Sequence, residues 1–460
     1  KKLISFIINA LKIIFVLGFL ILIHEAGHFF VAKLCKVAVN EFSIGFGPII
    51  WKKQGKNTKY VLRLIPLGGF VNLEGEEERS DKEGSFSNAS IPKRMAIILA
   101  GGTVNIVFAL IVYFILMTSL GNNTSLVIDS TIPEYAAAST SIEEGDKIVK
   151  IDNKKVHTKN DIDKALKKAE GNTMHIVVKH NGENKNIYLE PTKKEYYNTG
   201  IYLKAISSGD SCKIVAVAAN SSAEKSGIKA NDEILKINGK EVKNQTEIVE
   251  IMNQEKQNDM VITIKRNNEE KDITITPSVN YEYYLGVYFK KAENTLANNM
   301  YYAFFETGDF AFSIFENLKM LFTGNVRVDQ FMGPVGIAEV VAKTNKVQDF
   351  VNILALISLS LGVTNLLPIP ALDGGKFALL VIELIRGKKI SEKAEINLQL
   401  LGFAFLIAFL KSSIVFGPIS SPINPSGIST LSIYLSSASF EYSAETWLSI
   451  GSKISTFFSL

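Results

Sequence analysis

The sequence Ile21-Leu-Ile-His-Glu-Ala-Gly-His-Phe-Phe30 places three ionisable side chains within an otherwise apolar stretch. His24, Glu25 and His28 form an H-E-x-x-H pattern. In an α-helix, residues at i and i+4 lie on one face, so the two imidazoles can share a tetrahedral zinc ion. Glu25 projects beside that face, where it can act as a general base toward a water that the metal activates. The stretch therefore predicts a catalytic metal site on a helix.

The residues around this pattern are typical of a membrane helix. Apolar side chains dominate from Leu3 to Leu34, which is long enough to cross a bilayer. Ionisable groups at membrane depth are costly and by default indicate a functional site. The alternatives are a chance match on a buried helix, or histidines that are satisfied by helix neighbours. A cleavable signal peptide would need a small-residue cleavage site, which this stretch lacks.

Composition indicates membrane spans that alternate with soluble segments. Hydrophobic residues make up 47% of the 460 residues and charged residues 21%, and the mean hydropathy is slightly positive. The net charge is only +4, and no basic stripe is interleaved with aromatic residues, so we expect no nucleic-acid partner. Neither Cys35 nor Cys212 belongs to a Cys-x-x-Cys pair, so a metal site must use histidine and carboxylate ligands.

The predicted fold class is a polytopic α-helical membrane protein with about four transmembrane helices, a membrane-associated β hairpin or sheet, and two inserted α+β modules. The predicted segments are a first span (1–34), a cytoplasmic membrane-associated β region and loop (35–93), a second span (94–120), two modules (124–195 and 198–280), an interfacial helix and hinge (296–345), a third span (350–375), a cytoplasmic loop (376–395), a fourth span (396–419) and an atypical Ser-rich tail (420–460). The tail carries no motif, and we expect irregular structure there.

The β region consists of two glycine-punctuated segments on either side of a polar turn at 54–58. Its apolar content predicts a sheet against the membrane near the metal. An exposed edge of that sheet could receive an extended peptide by strand addition. A self-contained hairpin with no substrate role is the alternative.

The second span carries Gly101-Gly-Thr-Val-Asn105 on its early turns. Adjacent glycines allow another helix to approach closely, and an asparagine in an apolar helix usually finds a partner across such a contact. We therefore expect Gly101, Gly102 and Asn105 to pack against the first helix near the site. A direct catalytic role for Asn105 is the less favoured alternative.

The third span ends in Thr364-Asn-Leu-Leu-Pro-Ile-Pro-Ala-Leu-Asp-Gly-Gly375, where two prolines break the helix. Irregular backbone at membrane depth is tolerated where it lines a cavity in the protein. Asp373 follows the break and is the natural third zinc ligand, which leaves a fourth position open as catalytic zinc requires. Asn365 could donate a hydrogen bond to an oxyanion. The alternatives are a helix-capping role for Asp373 and a packing role for Asn365.

Two modules repeat at a constant offset of 86 residues, with 142–156 matching 228–242. They resemble PDZ domains through Ser221-Ser-Ala-Glu-Lys-Ser-Gly-Ile228 and the strand that follows it. Gly200 and Ile201, upstream of the second copy, are a candidate turn for binding a peptide carboxylate. The first copy has Ser141 where the motif expects glycine, and it shows no clear equivalent turn. A spacer or size-filter role is the alternative for both copies.

Three motifs therefore occur in order, on the first span, on the second span and after the third, with the PDZ-like modules inserted between the last two. In this arrangement the chain resembles the site-2 protease family (peptidase family M50), and most closely its bacterial RseP type. The resemblance implies one zinc ion bound by His24, His28 and Asp373, with Glu25 as catalytic base. It also implies that Asn365 aids substrate binding or the transition state. Gly102 stands where relatives often have proline, and the tail after about residue 411 departs from the family.

By the same resemblance, the substrates are single-span membrane proteins, such as anti-sigma factors already trimmed by an upstream site-1-type protease, or remnant signal peptides. Lysine and arginine are concentrated in the loops 35–93 and 376–395, so the positive-inside rule predicts that both loops are cytoplasmic. The modules would then lie outside the cytoplasm, on a multi-pass protein of the bacterial cell (inner) membrane. The alternative functions are a membrane-tethered PDZ scaffold with a non-catalytic metal site, and a metal transporter, which would need several ligand sites.

Overall fold

The structure is a computed structural model that describes residues 2–76, 78–121, 123–203, 212–218, 220–323, 334–344 and 346–414. The predicted Ser-rich tail and residues 331–333 of the predicted hinge lie outside the described residues. The described α-helices are α1 (Lys2–Leu34), α2 (Ile91–Leu120), α3 (Lys159–Ala169), α4 (Ser222–Lys225), α5 (Gln245–Glu255), α6 (Leu296–Phe322), α7 (Pro334–Lys343), α8 (Val347–Asn365), α9 (Asp373–Arg386) and α10 (Glu392–Ile414).

The described strands are β1 (Val39–Gln54), β2 (Lys59–Leu73), β3 (Thr124–Thr131), β4 (Lys147–Ile151), β5 (Lys154–Lys155), β6 (Met174–His180), β7 (Glu183–Leu189), β8 (Thr192–Asn198), β9 (Ile201–Leu203), β10 (Ile214–Val217), β11 (Glu233–Ile237), β12 (Lys240–Glu241), β13 (Met260–Arg266), β14 (Glu269–Ile275), β15 (Ser278–Tyr284) and β16 (Val287–Lys291). The chain divides into two units: the first holds the described residues up to Ala109 and from Ser313 onward, and the second holds Leu110–Phe312.

Three of the described helices are long and apolar enough to cross a membrane, namely Ile7–Leu34 within α1, α2 and α8. They coincide with the first three predicted spans. The predicted fourth span coincides with α10, but α10 does not meet the same criterion over its described residues. Its first turns carry acidic residues, Glu392 and Glu395. The four-span arrangement therefore stays a prediction.

The segment 376–395 was predicted as a cytoplasmic loop; most of it is helical, because α9 extends to Arg386, and its cytoplasmic location stays a prediction. Phe377 and Leu380 are three residues apart, so both lie on one face of α9, and they belong to a core with α1, α2 and the β segments. The helix ends where Gly387 adopts the left-handed conformation, with φ of 62°. Apolar spacing and a glycine cap were thus the signals of a short amphipathic helix.

Helices α1, α7 and α8 share a core in the first unit. Val16 and Leu20 of α1 are fully buried against Val341 of α7 and Leu361 of α8. Pro334, which was predicted to form part of a hinge, is the first residue of α7, a position where its missing N–H costs nothing. The core therefore fixes the turns of α1 and α8 that precede the predicted site residues His24 and Asn365.

Strands β1 and β2 form the predicted sheet in the first unit. Glu41 lies opposite both Asn72 and Lys59, so the first half of β1 runs between the two halves of β2. The second half of β1 pairs with the beginning of β2, where Gln54 lies opposite Lys59. The segment 69–73 consequently forms one edge of the sheet.

The two modules are nested in sequence, which corrects the predicted boundary 124–195 of the first. Strand β16 follows the second module in sequence but pairs with β3 of the first module. The corresponding pair in the second module is β9 with β10. At the 86-residue offset, Gly286-Val287 matches Gly200-Ile201, and both glycines have positive φ, 80° and 77°. The expectation that the first copy lacks an equivalent turn is wrong, because the turn comes from the chain after the second copy.

Each module buries one carboxylate at an equivalent position. In the second, the fully buried Asp232 accepts two hydrogen bonds of 2.7 Å from Arg266. In the first, the fully buried Asp146 lies 2.6 Å from Nδ1 of His180. His180 is 86 positions before Arg266 and therefore occupies the equivalent position in the first module. A buried carboxylate needs such a partner, because an unpaired buried charge is strongly destabilising.

We expect Arg266→Met to destabilise the second module by about 3–5 kcal/mol, because Asp232 would stay buried without a counter-charge. His180→Arg should preserve the first module, since it installs the pair that the second module already uses. Amide hydrogen exchange of β11 and β13, compared with β4 and β6 in the full-length protein, measures both effects. Lys265→Met, at an exposed position on the same strand as Arg266, is the control. Equal exchange in the two methionine variants would contradict the prediction.

Candidate metal centre

Three donor atoms converge between α1 and the start of α9. His24 Nε2 and His28 Nε2 are 3.2 Å apart, and Asp373 Oδ2 lies 3.3 and 3.2 Å from them. Ligand atoms around a tetrahedral zinc ion with bonds of about 2.0 Å are about 3.3 Å apart. These separations and the His–His–carboxylate donor set therefore fit zinc. Among the described residues, this is the one such cluster of histidine, cysteine and carboxylate side chains.

The other nitrogen of each imidazole also has a polar neighbour. His28 Nδ1 lies 2.8 Å from the carbonyl oxygen of Ile97, which can only accept, so Nδ1 donates and Nε2 keeps its lone pair. His24 Nδ1 lies 3.3 Å from the carboxamide of Asn105, which is fully buried. The sequence assigned Asn105 to helix packing, whereas its side chain contacts a predicted ligand. Its backbone carbonyl accepts a hydrogen bond from Ser358 of α8.

The glycines of α2 allow two different close approaches. A Cβ at Gly101 would lie 2.3 Å from His28 Nε2 and 2.8 Å from His24 Nε2, so the bare backbone faces both imidazoles. Gly102 faces α8 rather than the first helix, because its Cβ would lie 2.9 Å from the carbonyl oxygen of Gly362. The prediction placed both glycines against α1, and only Gly101 lies there.

Asp373 is held by an irregular segment between α8 and α9. The break after Asn365 occurs at the predicted prolines, and Ala371 adopts a left-handed φ of 78° two residues before the carboxylate. Such a backbone conformation costs about 1 kcal/mol or more in a residue other than glycine and needs support from its surroundings. Gly402 of α10 contributes that support, since a Cβ there would lie 2.1 Å from the Pro370 carbonyl oxygen.

Gly402 was not singled out from the sequence, although a glycine within an apolar helical run is a signal of close packing. Gly374 and Gly375 also allow close packing, because a Cβ on either would lie within 2.4 Å of backbone atoms in the segment that precedes Asp373. Backbone packing therefore determines where α9 begins, and with it the position of the carboxylate.

Glu25 and Asn365 are both buried in this unit, as their predicted roles require. A Cβ at Gly69, the first residue of the sheet edge 69–73, would lie 3.6 Å from Glu25 Cγ, so this edge begins beside Glu25. Neither side-chain polar atom of Asn365 has a hydrogen-bond partner among the described residues. An unpaired buried amide is rare and points to a partner that arrives with a ligand.

Gly200 and Ile201 belong to the second unit, whereas the three converging donors belong to the first. The N–H of Gly200 donates a hydrogen bond of 2.7 Å to Asn198 Oδ1, and Ile201 is fully buried. A peptide carboxylate at this turn would therefore have to displace the Asn198 side chain.

Two ion pairs fasten α9, one to the loop after β2 and the other to the start of α2. Lys376 lies on the first turn of α9, and its Nζ is 2.8 Å from Glu76 Oε1. Arg94 at the start of α2 pairs with Glu383 at 2.6 Å, and both side chains are 10% exposed. Neither pair was predicted, because the partners are about 300 residues apart and neither belongs to a motif.

Comparison with known proteins gives the family. Residues 12–409 match the model of peptidase family M50. A relative from Haemophilus influenzae, the regulator of sigma E protease, is 29% identical over 88% of this chain and 97% of its own length. A Clostridium acetobutylicum protein inferred to be a zinc metalloprotease is 30% identical over 87% of this chain and 95% of its own length. Among solved structures, the PDZ domain of HtrA3 aligns with 20% of this chain and 94% of its own, at 19% identity and a TM-score of 0.18, too low to establish a shared fold.

The chain belongs to peptidase family M50, as the three sequence motifs predicted. It is a zinc metalloprotease of the membrane, and the predictions of family, enzyme class and metal are confirmed.

Proposed function

We propose that this protein cleaves single-span membrane proteins within the bilayer, using one zinc ion bound by His24, His28 and Asp373. The observation that carries the proposal is the convergence of three donor atoms at separations of 3.2–3.3 Å in a buried part of the helical unit. Three protein ligands leave the fourth tetrahedral position open, which distinguishes catalytic from structural zinc.

When bound, zinc supplies Lewis-acid activation of the attacking water and of the scissile carbonyl. Glu25 takes the proton from the attacking water and returns it to the leaving amine. Asn365 donates a hydrogen bond to the oxyanion that develops on the carbonyl. Its two unpartnered polar atoms support this role, because a packing asparagine would be expected to satisfy them within the protein.

The neighbours of the imidazoles orient them for the metal. Metal-bound histidines usually donate their other N–H to a carbonyl or carboxylate, which fixes the tautomer. The Ile97 carbonyl does this for His28. For His24 to bind through Nε2, its Nδ1 must carry the proton, so the Asn105 carboxamide, whose Nδ2 lies 3.3 Å from Nδ1, would have to turn its oxygen toward the imidazole. The oxygen and nitrogen of an amide are distinguished only by such hydrogen-bond reasoning.

The substrate segment must be unwound, because a helical backbone uses its carbonyls in its own hydrogen bonds. Strand addition at the sheet edge 69–73 would hold an extended peptide, and the position of this edge beside Glu25 supports that mode of binding. Successive side chains along the added strand would point to opposite faces of the sheet.

We assign the protein to the bacterial cell (inner) membrane, with the PDZ-like modules outside the cytoplasm, on the basis of its basic loops. The modules would select substrates, either by binding a new carboxyl terminus left by an upstream site-1-type protease or by excluding bulky domains. The name of the Haemophilus influenzae relative supports a role in sigma-factor regulation, with an anti-sigma factor as substrate.

Incubation of the purified full-length protein with a model single-span peptide tests the proposal. Cleavage is expected inside the apolar segment, to be lost when a chelator removes zinc, and to return when zinc is restored. A preparation of Asp373→Asn, purified in the same way, controls for contaminating proteases. Peptide binding without cleavage in the zinc-loaded protein would instead support the scaffold alternative.

A further inference from the structure

The Glu76–Lys376 pair involves the same helix turn as the metal centre, because Lys376 follows Asp373 by three residues on α9. Glu76 belongs to the loop after β2, and its carboxylate is 16% exposed. Lys376, 31% exposed, lies on the first turn of α9 and contacts Glu76 at 2.8 Å. Both partners are therefore largely shielded from water, where an ion pair is stronger than at the surface.

Lys376 also has a second carboxylate within reach, because Asp373 is three residues earlier on the same helix. Side chains three apart on a helix are neighbours. Burial alone would lower the pKa of Lys376, but the carboxylates of Glu76 and, to a lesser extent, Asp373 raise it above its ordinary value. Lys376 is therefore a cation that pairs with Glu76 and lies within electrostatic reach of the predicted metal ligand Asp373 and of Glu395.

We propose that Glu76 is a positioning residue of the metal centre, which holds the Lys376 ammonium away from Asp373 and so keeps that carboxylate available to the metal. The inference rests on the proposed role of Asp373 as a ligand. Without Glu76, the carboxylates that still act on the ammonium are Asp373, three residues earlier on α9, and Glu395 of α10. A charge-assisted hydrogen bond from Lys376 to Asp373 would have to break before a metal binds.

This role predicts an asymmetry that a simple clamp does not. Removal of Glu76 releases a cation beside the ligand. Removal of Lys376 abolishes this ion pair but places no competitor at Asp373. A clamp that only anchors α9 would instead be weakened equally by either substitution.

The test measures zinc affinity by competition with a chromophoric chelator, in full-length protein freed of metal, for Glu76→Gln, Lys376→Met and the double variant. We expect Glu76→Gln to weaken zinc binding about ten-fold, the equivalent of about 1.4 kcal/mol. Lys376→Met should stay within about two-fold of the unmodified protein, and the double variant should recover to the same level. The thermal unfolding midpoint of the metal-free protein reports any loss of anchoring separately.

Arg79→Met is the matched control, because Arg79 ties the same loop to Glu392 through a pair of 3.5 Å whose partners are 43% and 51% exposed. Its zinc affinity should not change. Equal weakening by both single substitutions, without recovery in the double variant, would overturn the proposal in favour of a clamp. If Asp373→Asn binds zinc as tightly as the unmodified protein, the proposed ligand set itself fails, which the other variants would not reveal.

Discussion

Glu25→Gln is expected to slow peptide hydrolysis by about 10²–10⁴-fold while zinc remains bound, because a carboxamide keeps the shape of the side chain but cannot accept a proton. Glu25 is not one of the three converging donors, so zinc affinity should stay within about two-fold. Its burial, at 8% exposure, means that bulk water cannot readily replace it as the base. Cleavage of the model single-span peptide and the zinc content of the same preparation are measured together.

Two further variants make this prediction specific. Glu25→Asp keeps a proton acceptor but retracts it by one methylene, so its rate should lie between those of the glutamine variant and the unmodified protein. Asp373→Asn should lose cleavage and zinc together, unlike Glu25→Gln. Cleavage at the original rate in Glu25→Gln would show that the proposed base is not the base.

Gly101→Ala is expected to weaken zinc binding by about 10–100-fold, the range seen when the surroundings of a metal ligand are disturbed. The added methyl would lie 2.3 Å from His28 Nε2 and 2.7 Å from His24 Cε1, closer than atoms in contact can come. His28 cannot turn away without losing its hydrogen bond to the Ile97 carbonyl. Zinc affinity by chelator competition and cleavage of the peptide should both fall.

Gly308→Ala is the control for this substitution, because Gly308 lies in helix α6 and a Cβ there would meet no heavy atom within 4 Å. It should leave zinc affinity and cleavage unchanged and should slightly favour the helix. A Gly101→Ala protein that binds zinc normally would mean that α2 lies farther from the imidazoles than the structure shows.

Much of the candidate site could be predicted from short sequence patterns because its chemistry is local. The spacing of His24 and His28 orients both imidazoles on one helix face whatever surrounds them. Likewise, the prolines after Asn365 end α8 wherever that helix packs. The proposed roles of these residues stay predictions, but their identification required no tertiary information.

Other features could not be predicted because each depends on residues that are distant in sequence. The turn at Gly286 completes the first module from beyond the second, and no local pattern announces that pairing. Asn105 and Gly402 appear in the sequence as packing residues, and only their neighbours reveal that one contacts His24 and the other supports the segment before Asp373.

The sequence by itself determined the family and three helices long and apolar enough to cross a membrane, and it singled out the three side chains proposed to bind zinc, because motifs and apolar length are local properties of the chain. The tertiary structure alone decided that Asp373 meets the two imidazoles at 3.2–3.3 Å, and that Glu76 rather than Asp373 pairs with Lys376. These contacts join parts of the chain some 300 residues apart. Their distances depend on how glycine-lined helices and an irregular backbone segment pack, which no local pattern specifies.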